Sequence, residues 1–273
     1  GVSAVGAKIV TVFPRNASTG LPTHLGLVLL LDATNGVPLA IIDATSITAI
    51  RTAAVSAVAT DALAREDAQV CAIIGTGVQA AVHVAAMLAV RPIRSIRIVS
   101  RDLARAERLS VDLAARFTCE FEPAKTVERA VRGADIACTV TNSATPVLRG
   151  EWLSAGTHIN AVGASLSDAR ELDAAAVAKS RLYCDSRVSM LAESGDFLLA
   201  RAEGAIDDSH IVGELGDVLL GIAPARRNAD EITLFKSLGL GIEDIAAARY
   251  VYDRAVEQGM GTRVLMGGEL RGA

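Results

Sequence analysis

The stretch VCAIIGTGVQA, residues 70–80, decides how the rest of the chain is read. An apolar run ends in two glycines flanking one threonine, and a second apolar stretch, VQAAVHVAAMLAV, follows at helical length. The spacing is G-x-G-x-x-A, carried by Gly75, Gly77 and Ala80. In a strand-turn-helix setting the first glycine permits the tight turn and the second lets the backbone approach a pyrophosphate. The alanine lets the helix pack closely on the strand. The amide groups at the amino end of that helix, around Thr76, Val78 and Gln79, would then hold the anion. Ordinary buried strands also end in glycines, so the surroundings must separate a dinucleotide turn from a structural one.

The surroundings favour the dinucleotide. After ITAIRTAAVSAVATDALAR, a long helical pattern, short strand-like runs alternate with amphipathic helical stretches: VCAIIG, SIRIVS, CEFEP, DIACTVT, HINAVG, RLYCDS and ITLFK. Such alternation predicts an α/β fold with a Rossmann-type, doubly wound parallel sheet. Residues 7–43 differ. AKIVTVF, LGLVLLL and VPLAIID are separated by turn-rich segments, of which DATNG has the clearest hairpin chemistry, and they predict a small antiparallel sheet. The expected plan is a cofactor domain over 56–242, inserted in a smaller α+β substrate-binding and dimerisation domain built from 1–55 and 243–273.

Composition narrows the class. The 273 residues are half apolar, carry a net charge of −4 with a pI near 5.6, and include only 3% aromatics. This excludes disorder and leaves no basic, base-stacking footprint for nucleic acid. Apolar stretches stop short of the roughly 20 residues that a membrane span needs. Cys71, Cys119, Cys138 and Cys184 are far apart, show no CxxC spacing and mostly fall in strand-like runs, so they read as reduced core residues of a cytoplasmic protein. The chain opens at Gly1 in mid-pattern, without an initiator Met or signal-peptide layout, which suggests further residues before it.

The second strand of the cofactor domain bears on which dinucleotide is bound. An NAD site places Asp or Glu at its end to accept from the adenosine ribose. Here SIRIVSRD ends, about 25 residues after Gly75, in Ser100 and Arg101. A guanidinium there, joined by Arg105, suits the 2′-phosphate of NADP over NAD. Asp102 competes as a ribose acceptor, but it lies past the strand end and is better placed to cap the helix that starts at Leu103.

Several stretches together are specific: FPRN, GLPTHLGLVLL, AIRTAAVSAVAT, GTGVQA, ADIACTVTNSATPVLRGEWL, GTHINAVGAS, RELD, ESGD, ELGDVL and ITLFKSLGLGIEDIAAA. In that order they resemble the ornithine cyclodeaminase/mu-crystallin family over essentially the whole chain. The resemblance implies a homodimer, a nicotinamide cofactor and hydride chemistry on a small imino or amino acid. It also implies several dozen residues before the counterpart of Gly1. The family includes cyclodeaminases, amino-acid dehydrogenases and reductases of cyclic imines, so the site residues must choose among them.

By family position Lys8 and Arg51 grip the substrate's α-carboxylate. The chemistry agrees, since a guanidinium binds carboxylate bidentately and a charge on the Ala- and Val-rich face that carries Arg51 calls for an ionic partner. Taken alone, both would read as exposed residues. Thr139, Thr141, Asn142 and Val162 match the cofactor side, while Lys236, Ser237 and Leu240 close the same pocket. For Lys236 the competing expectation is a surface ion pair. The decisive position is Ser165, where ornithine cyclodeaminases carry an aspartate that handles the amine. A serine is neutral and a poor general base, which argues against cyclodeaminase activity and matches the imine-reducing members. Its bland alternative is a turn serine.

Asp168 is a candidate acid, but with Glu171 three residues on it has capping-box spacing for a helix in RELDAAAVAKS, and the cap is preferred. His24, His83, His158 and His210 show no metal-ligand spacing and read as structural. No metal is expected. The sequence thus predicts an NADPH-dependent reductase of pyrroline-2-carboxylate or its six-membered analogue. A dehydrogenase of a linear amino acid such as alanine comes second, an ornithine cyclodeaminase third, and a non-catalytic NADPH-dependent binding protein is the reading from another class.

Overall fold

A computed structural model describes residues 3–13, 15–16, 19–22 and 24–264, with only the backbone of His24. Gly1, Pro14 of FPRN, Thr23 of GLPTHLG and the His24 side chain, on which sequence expectations were placed, lie outside the described part. The chain divides into two compact units, Gly1–Ile47 with Gly241–Ala273, and Thr48–Leu240.

The first unit holds an antiparallel sheet in the order β1-β2-β3, formed by β1 (Val5–Val12), β2 (His24–Leu31) and β3 (Pro38–Asp43). DATNG makes the β2–β3 turn: Asp32 Oδ1 accepts from the amides of Thr34 and Asn35, and Gly36 takes a left-handed φ of 74°. The side-chain period of two sends Val28 and Leu30 to one face, where they pack on Ala248 and Ile245. The opposite face carries Val5, Ile9, Leu27 and Ile41, all exposed and brought side by side by the register Val5↔Leu31, Ile9↔Leu27 and Leu29↔Ile41.

The remaining strands are β4 (Val70–Ile74), β5 (Ser95–Val99), β6 (Glu120–Ala124), β7 (Ile136–Thr139), β8 (His158–Ala161), β9 (Ser180–Cys184), β10 (Ile211–Glu214) and β11 (Ile232–Lys236). They form one sheet in the order β10-β9-β11-β8-β7-β4-β5-β6, with every pair parallel. Central strands such as β7 and β8 are buried along their whole length, as a sheet covered on both faces requires. The chain order reverses between β4 and β7, so the carboxyl ends of these two strands flank the crevice where such sheets bind ligands. The helices are α1 (Ala44–Leu63), α2 (Val78–Val90), α3 (Leu103–Ala114), α4 (Val127–Val131), α5 (Ala174–Lys179), α6 (Arg187–Glu193), α7 (Gly195–Ala202), α8 (Leu215–Leu219) and α9 (Gly241–Glu257).

The sequence expectation had no counterpart of β10. IVGE is four residues long, contains a glycine, and pairs with β9 through a register irregularity, so its alternation signal is too short to read. The orphan carbonyls at the end of α1 are met by a distant side chain. Arg91, 7% exposed, donates to the carbonyls of Thr60, Asp61, Ala64 and Arg65 and pairs with the Asp61 carboxylate at 2.8 Å.

Candidate active site

The glycine turn has the geometry its sequence requires. Gly75 sits at φ 122°, and a Cβ there would lie 2.7 Å from the Val140 carbonyl oxygen, so a side chain has neither the backbone conformation nor the room. Gly77 has an ordinary φ of −81° and caps α2 without a side-chain hydrogen bond. A Cβ at Gly77 would meet nothing within 4 Å, which leaves its approach open. Ala80 is fully buried under the helix. Val78 opens α2 and is exposed, while Gln79 is half-buried with its Oε1 enclosed and unpartnered among the described residues. The Thr139 hydroxyl, across the crevice at the end of β7, is likewise buried without a partner. Both atoms are enclosed by protein; it is bare Gly77, with open space at the amino end of α2, that fits a bound dinucleotide.

The end of β5 joins the same turn. Thr76 Oγ1 donates to Ser100 Oγ at 3.2 Å, and the Gly75 amide donates to Val99 O at 2.9 Å. Arg101 is exposed beside them. Asp102 caps α3 as expected: Oδ1 accepts from the Ala104 amide at 3.0 Å and Oδ2 lies 3.6 Å from Arg105 Nε. Both carboxylate oxygens are therefore engaged, and Arg105 is shared with that cap.

The ends of β7 and β8 are tied together by a group that sequence reasoning placed elsewhere. Glu171 is fully buried. Its Oε1 accepts from the Thr141 amide at 2.6 Å and the Thr141 hydroxyl at 2.7 Å, and its Oε2 accepts from the Gly163 amide at 2.7 Å. Burial raises this carboxyl above its ordinary value, against the pull of the Lys236 charge and the Thr141 hydrogen bonds. The capping box is thus corrected: α5 begins at Ala174 under Asp173, whose Oδ1 accepts from Ala176, while Asp168 stands in an exposed turn. Three amide and hydroxyl donors at the sheet edge claim Glu171 more strongly than one helix terminus would. For Lys236 the competing expectation of a surface ion pair is overturned. Instead of a surface pair it makes a buried one, at 2.8 Å to Asp196, and donates to Ala164 O as well. Asp196 Oδ1 in turn accepts from the amides of Glu171 and Leu172.

This frame positions the candidate residues that follow it. Val162 is half-buried and its amide donates to Thr139 O at 3.0 Å; Ser165 is exposed three residues on; Asn142 is exposed at the end of the β7 loop. Ser237 is buried and Leu240 half-buried in the turn that leaves β11. The guanidinium of Arg51 lies against that turn: a Cβ on Gly239 would be 2.4 Å from its Nη1. Lys8 belongs to the other unit, where its Nζ pairs with Asp244 Oδ1 at 3.0 Å, a partner that sequence reasoning missed.

The histidines with described side chains are structural. His83 bonds Gln79 O and Ser56 Oγ, and burial pushes its pKa down to about 4; burial and the nearby Arg226 charge push His158 to about 3, so both are neutral near pH 7. His210 bonds Val177 O. All four cysteines are free, three of them buried. Among the described residues no group of His, Cys, Asp or Glu could hold a metal ion, and no helix is long and apolar enough to cross a membrane.

With this geometry in place, comparison identifies the lineage. The sequence profile of the ornithine cyclodeaminase/mu-crystallin family matches residues 1–259. The chain belongs to this family. Across 97% of its length it is 40% identical to a Delta(1)-pyrroline-2-carboxylate reductase of Bacillus cereus, covering 81% of that protein. It is 42% identical to the ketimine reductase mu-crystallin of Mus musculus, over 92% of this chain and 76% of the mouse protein. Among solved structures, the Thermococcus litoralis Delta(1)-pyrroline-2-carboxylate reductase in complex with NADH and L-proline superposes with a TM-score of 0.92. That chain is 41% identical, and the alignment covers 96% of this chain and 81% of the other.

Proposed function

We propose that this protein reduces a small cyclic α-imino acid, pyrroline-2-carboxylate or piperideine-2-carboxylate, to proline or pipecolate with NADPH. The observation that carries the reading is that two different devices share one sheet edge. The glycine turn leaves β4 there, and the turn that backs the Arg51 guanidinium leaves β11 on the same carboxyl side. One suits a dinucleotide and the other a carboxylate.

Gly75, Thr76, Gly77, Val78 and Gln79 would hold the pyrophosphate side, Ser100 and Arg101 the adenosine side, and Thr139, Thr141, Asn142 and Val162 the nicotinamide side. The bound cofactor supplies the hydride that the imine carbon accepts. The protein's part is positioning: Arg51 holds the substrate carboxylate bidentately and so fixes the ring to which it is attached. Lys8 would join it. An ammonium has three donors, so the Asp244 pair orients Nζ without exhausting it. Ser165 offers a hydroxyl where deamination would need a carboxylate, so the ring nitrogen is retained and takes its proton from solvent.

NADPH is preferred because Arg101 stands exposed at the end of β5, while Asp102 lies past the strand end and caps α3. The assay follows nicotinamide absorbance with the purified protein. Oxidation of NADPH by pyrroline-2-carboxylate without ammonia is the expected result, with kcat/KM about tenfold above that for NADH. Turnover confined to pyruvate plus ammonia would instead make the protein an amino-acid dehydrogenase.

A cytoplasmic homodimer completes the reading. Val5, Ile9, Leu27 and Ile41 form a contiguous exposed apolar face on the antiparallel sheet, and such faces mark association surfaces. Ile9→Lys is expected to turn the dimer into a monomer in sedimentation velocity; a variant that sediments unchanged places the interface elsewhere.

A further inference from the structure

Asp185 stands at the carboxyl end of β9 and is 7% exposed. Its carboxylate accepts three backbone donors: Oδ1 from Ser186 at 2.8 Å, and Oδ2 from Leu238 at 2.6 Å and Gly239 at 2.5 Å. The last two amides belong to the turn after β11, whose path depends on the left-handed Gly239, at φ 89°. The bare Cα of Gly239 faces Arg51. A Cβ built there would lie 2.4 Å from Nη1, 2.6 Å from Nη2 and 2.9 Å from Cζ, so the guanidinium occupies the space a side chain would take.

We propose that Asp185 is a positioning residue for Arg51: it pins the turn on which the guanidinium rests and so sets the angle of the substrate-carboxylate clamp. Two charge-assisted bonds converging on one oxygen hold consecutive amides, and an anionic acceptor binds them more strongly than a carbonyl does. Without it the two half-buried amides lose their partner, the turn relaxes toward other acceptors, and the surface under Arg51 shifts. Asp185 touches neither substrate nor cofactor in this scheme. A misplacement of about 1 Å at such a site is enough to cost a large factor in productive binding. The inference rests on the reading of Arg51 as the carboxylate clamp.

The test compares wild type, Asp185→Asn, Arg51→Ala and the double variant, using pyrroline-2-carboxylate and NADPH as probes. Asp185→Asn keeps shape and one acceptor but removes the charge. It is expected to raise the imino-acid KM about tenfold while the NADPH Kd, titrated by fluorescence on the same samples, stays within twofold. In the Arg51→Ala background the same change should alter kcat/KM by less than twofold, because the group it positions is gone. Gly239→Ala, which pushes on the guanidinium directly, should reproduce the KM defect. Multiplying effects in the double variant, or an equal loss of NADPH binding in Asp185→Asn, would overturn the positioning role and leave the clamp standing. An unchanged KM in Arg51→Ala would overturn the clamp, and the inference with it.

Discussion

Truncating Arg51 to alanine is expected to raise the KM for pyrroline-2-carboxylate by about 100-fold, equivalent to ~2.7 kcal/mol, while NADPH affinity stays within about twofold. The magnitude follows from removing a bidentate, charge-assisted partner of the carboxylate. The split follows from geometry, because Arg51 rests on Gly239 after β11 whereas the glycine turn follows β4. Since the carboxylate also orients the ring, kcat falls as well, and the loss in kcat/KM exceeds the rise in KM. Lysine at this position restores the charge but not the fork, so Arg51→Lys recovers only part of the loss. Steady-state kinetics with each substrate varied in turn checks the result; parallel loss of both affinities would refute the assignment.

The second large effect separates the two glycines of the turn. Gly75→Ala must adopt φ near 122° and press a methyl onto the Val140 carbonyl oxygen at 2.7 Å. It is expected to cost about 1–3 kcal/mol of stability and to weaken NADPH binding at least ~100-fold, because the turn itself shifts. Gly77→Ala has an ordinary backbone and meets no protein atom within 4 Å. Its melting temperature without cofactor is expected to match wild type, while NADPH binding falls because the methyl enters the space left for the pyrophosphate. Thermal unfolding without cofactor, followed by fluorescence titration with NADPH, distinguishes the pair. Normal NADPH affinity in Gly77→Ala would show that the dinucleotide does not cross this turn.

Much of this architecture is legible in the chain because it is local. The parallel sheet shows in short apolar runs alternating with helices. The turn shows in Gly75, Gly77 and Ala80, whose roles depend on neighbours within one strand and one helix. Asp102 was legible as a cap for the same reason: its acceptor work is done two residues on, at Ala104. Ser165 and Arg51 were nominated through family resemblance, not through any spacing of their own.

The charged frame of the site was not legible. D-x-x-E read as a capping box because only local partners are visible in a sequence, yet Glu171 is claimed by Thr141, 30 residues away, and by Gly163. Nothing local shows that Lys236 pairs with Asp196, and Asp185 gives no hint of Leu238 and Gly239, more than 50 positions on. A buried carboxylate is tolerated only where donors surround it, and those donors come from strands that are neighbours in the sheet but far apart in the chain. By itself the sequence determined the glycine turn and the alternation of strands and helices apart from β10. Only the tertiary structure decided which buried charges hold the strand ends in place, because their partners exist only once β7, β8, β9 and β11 lie side by side.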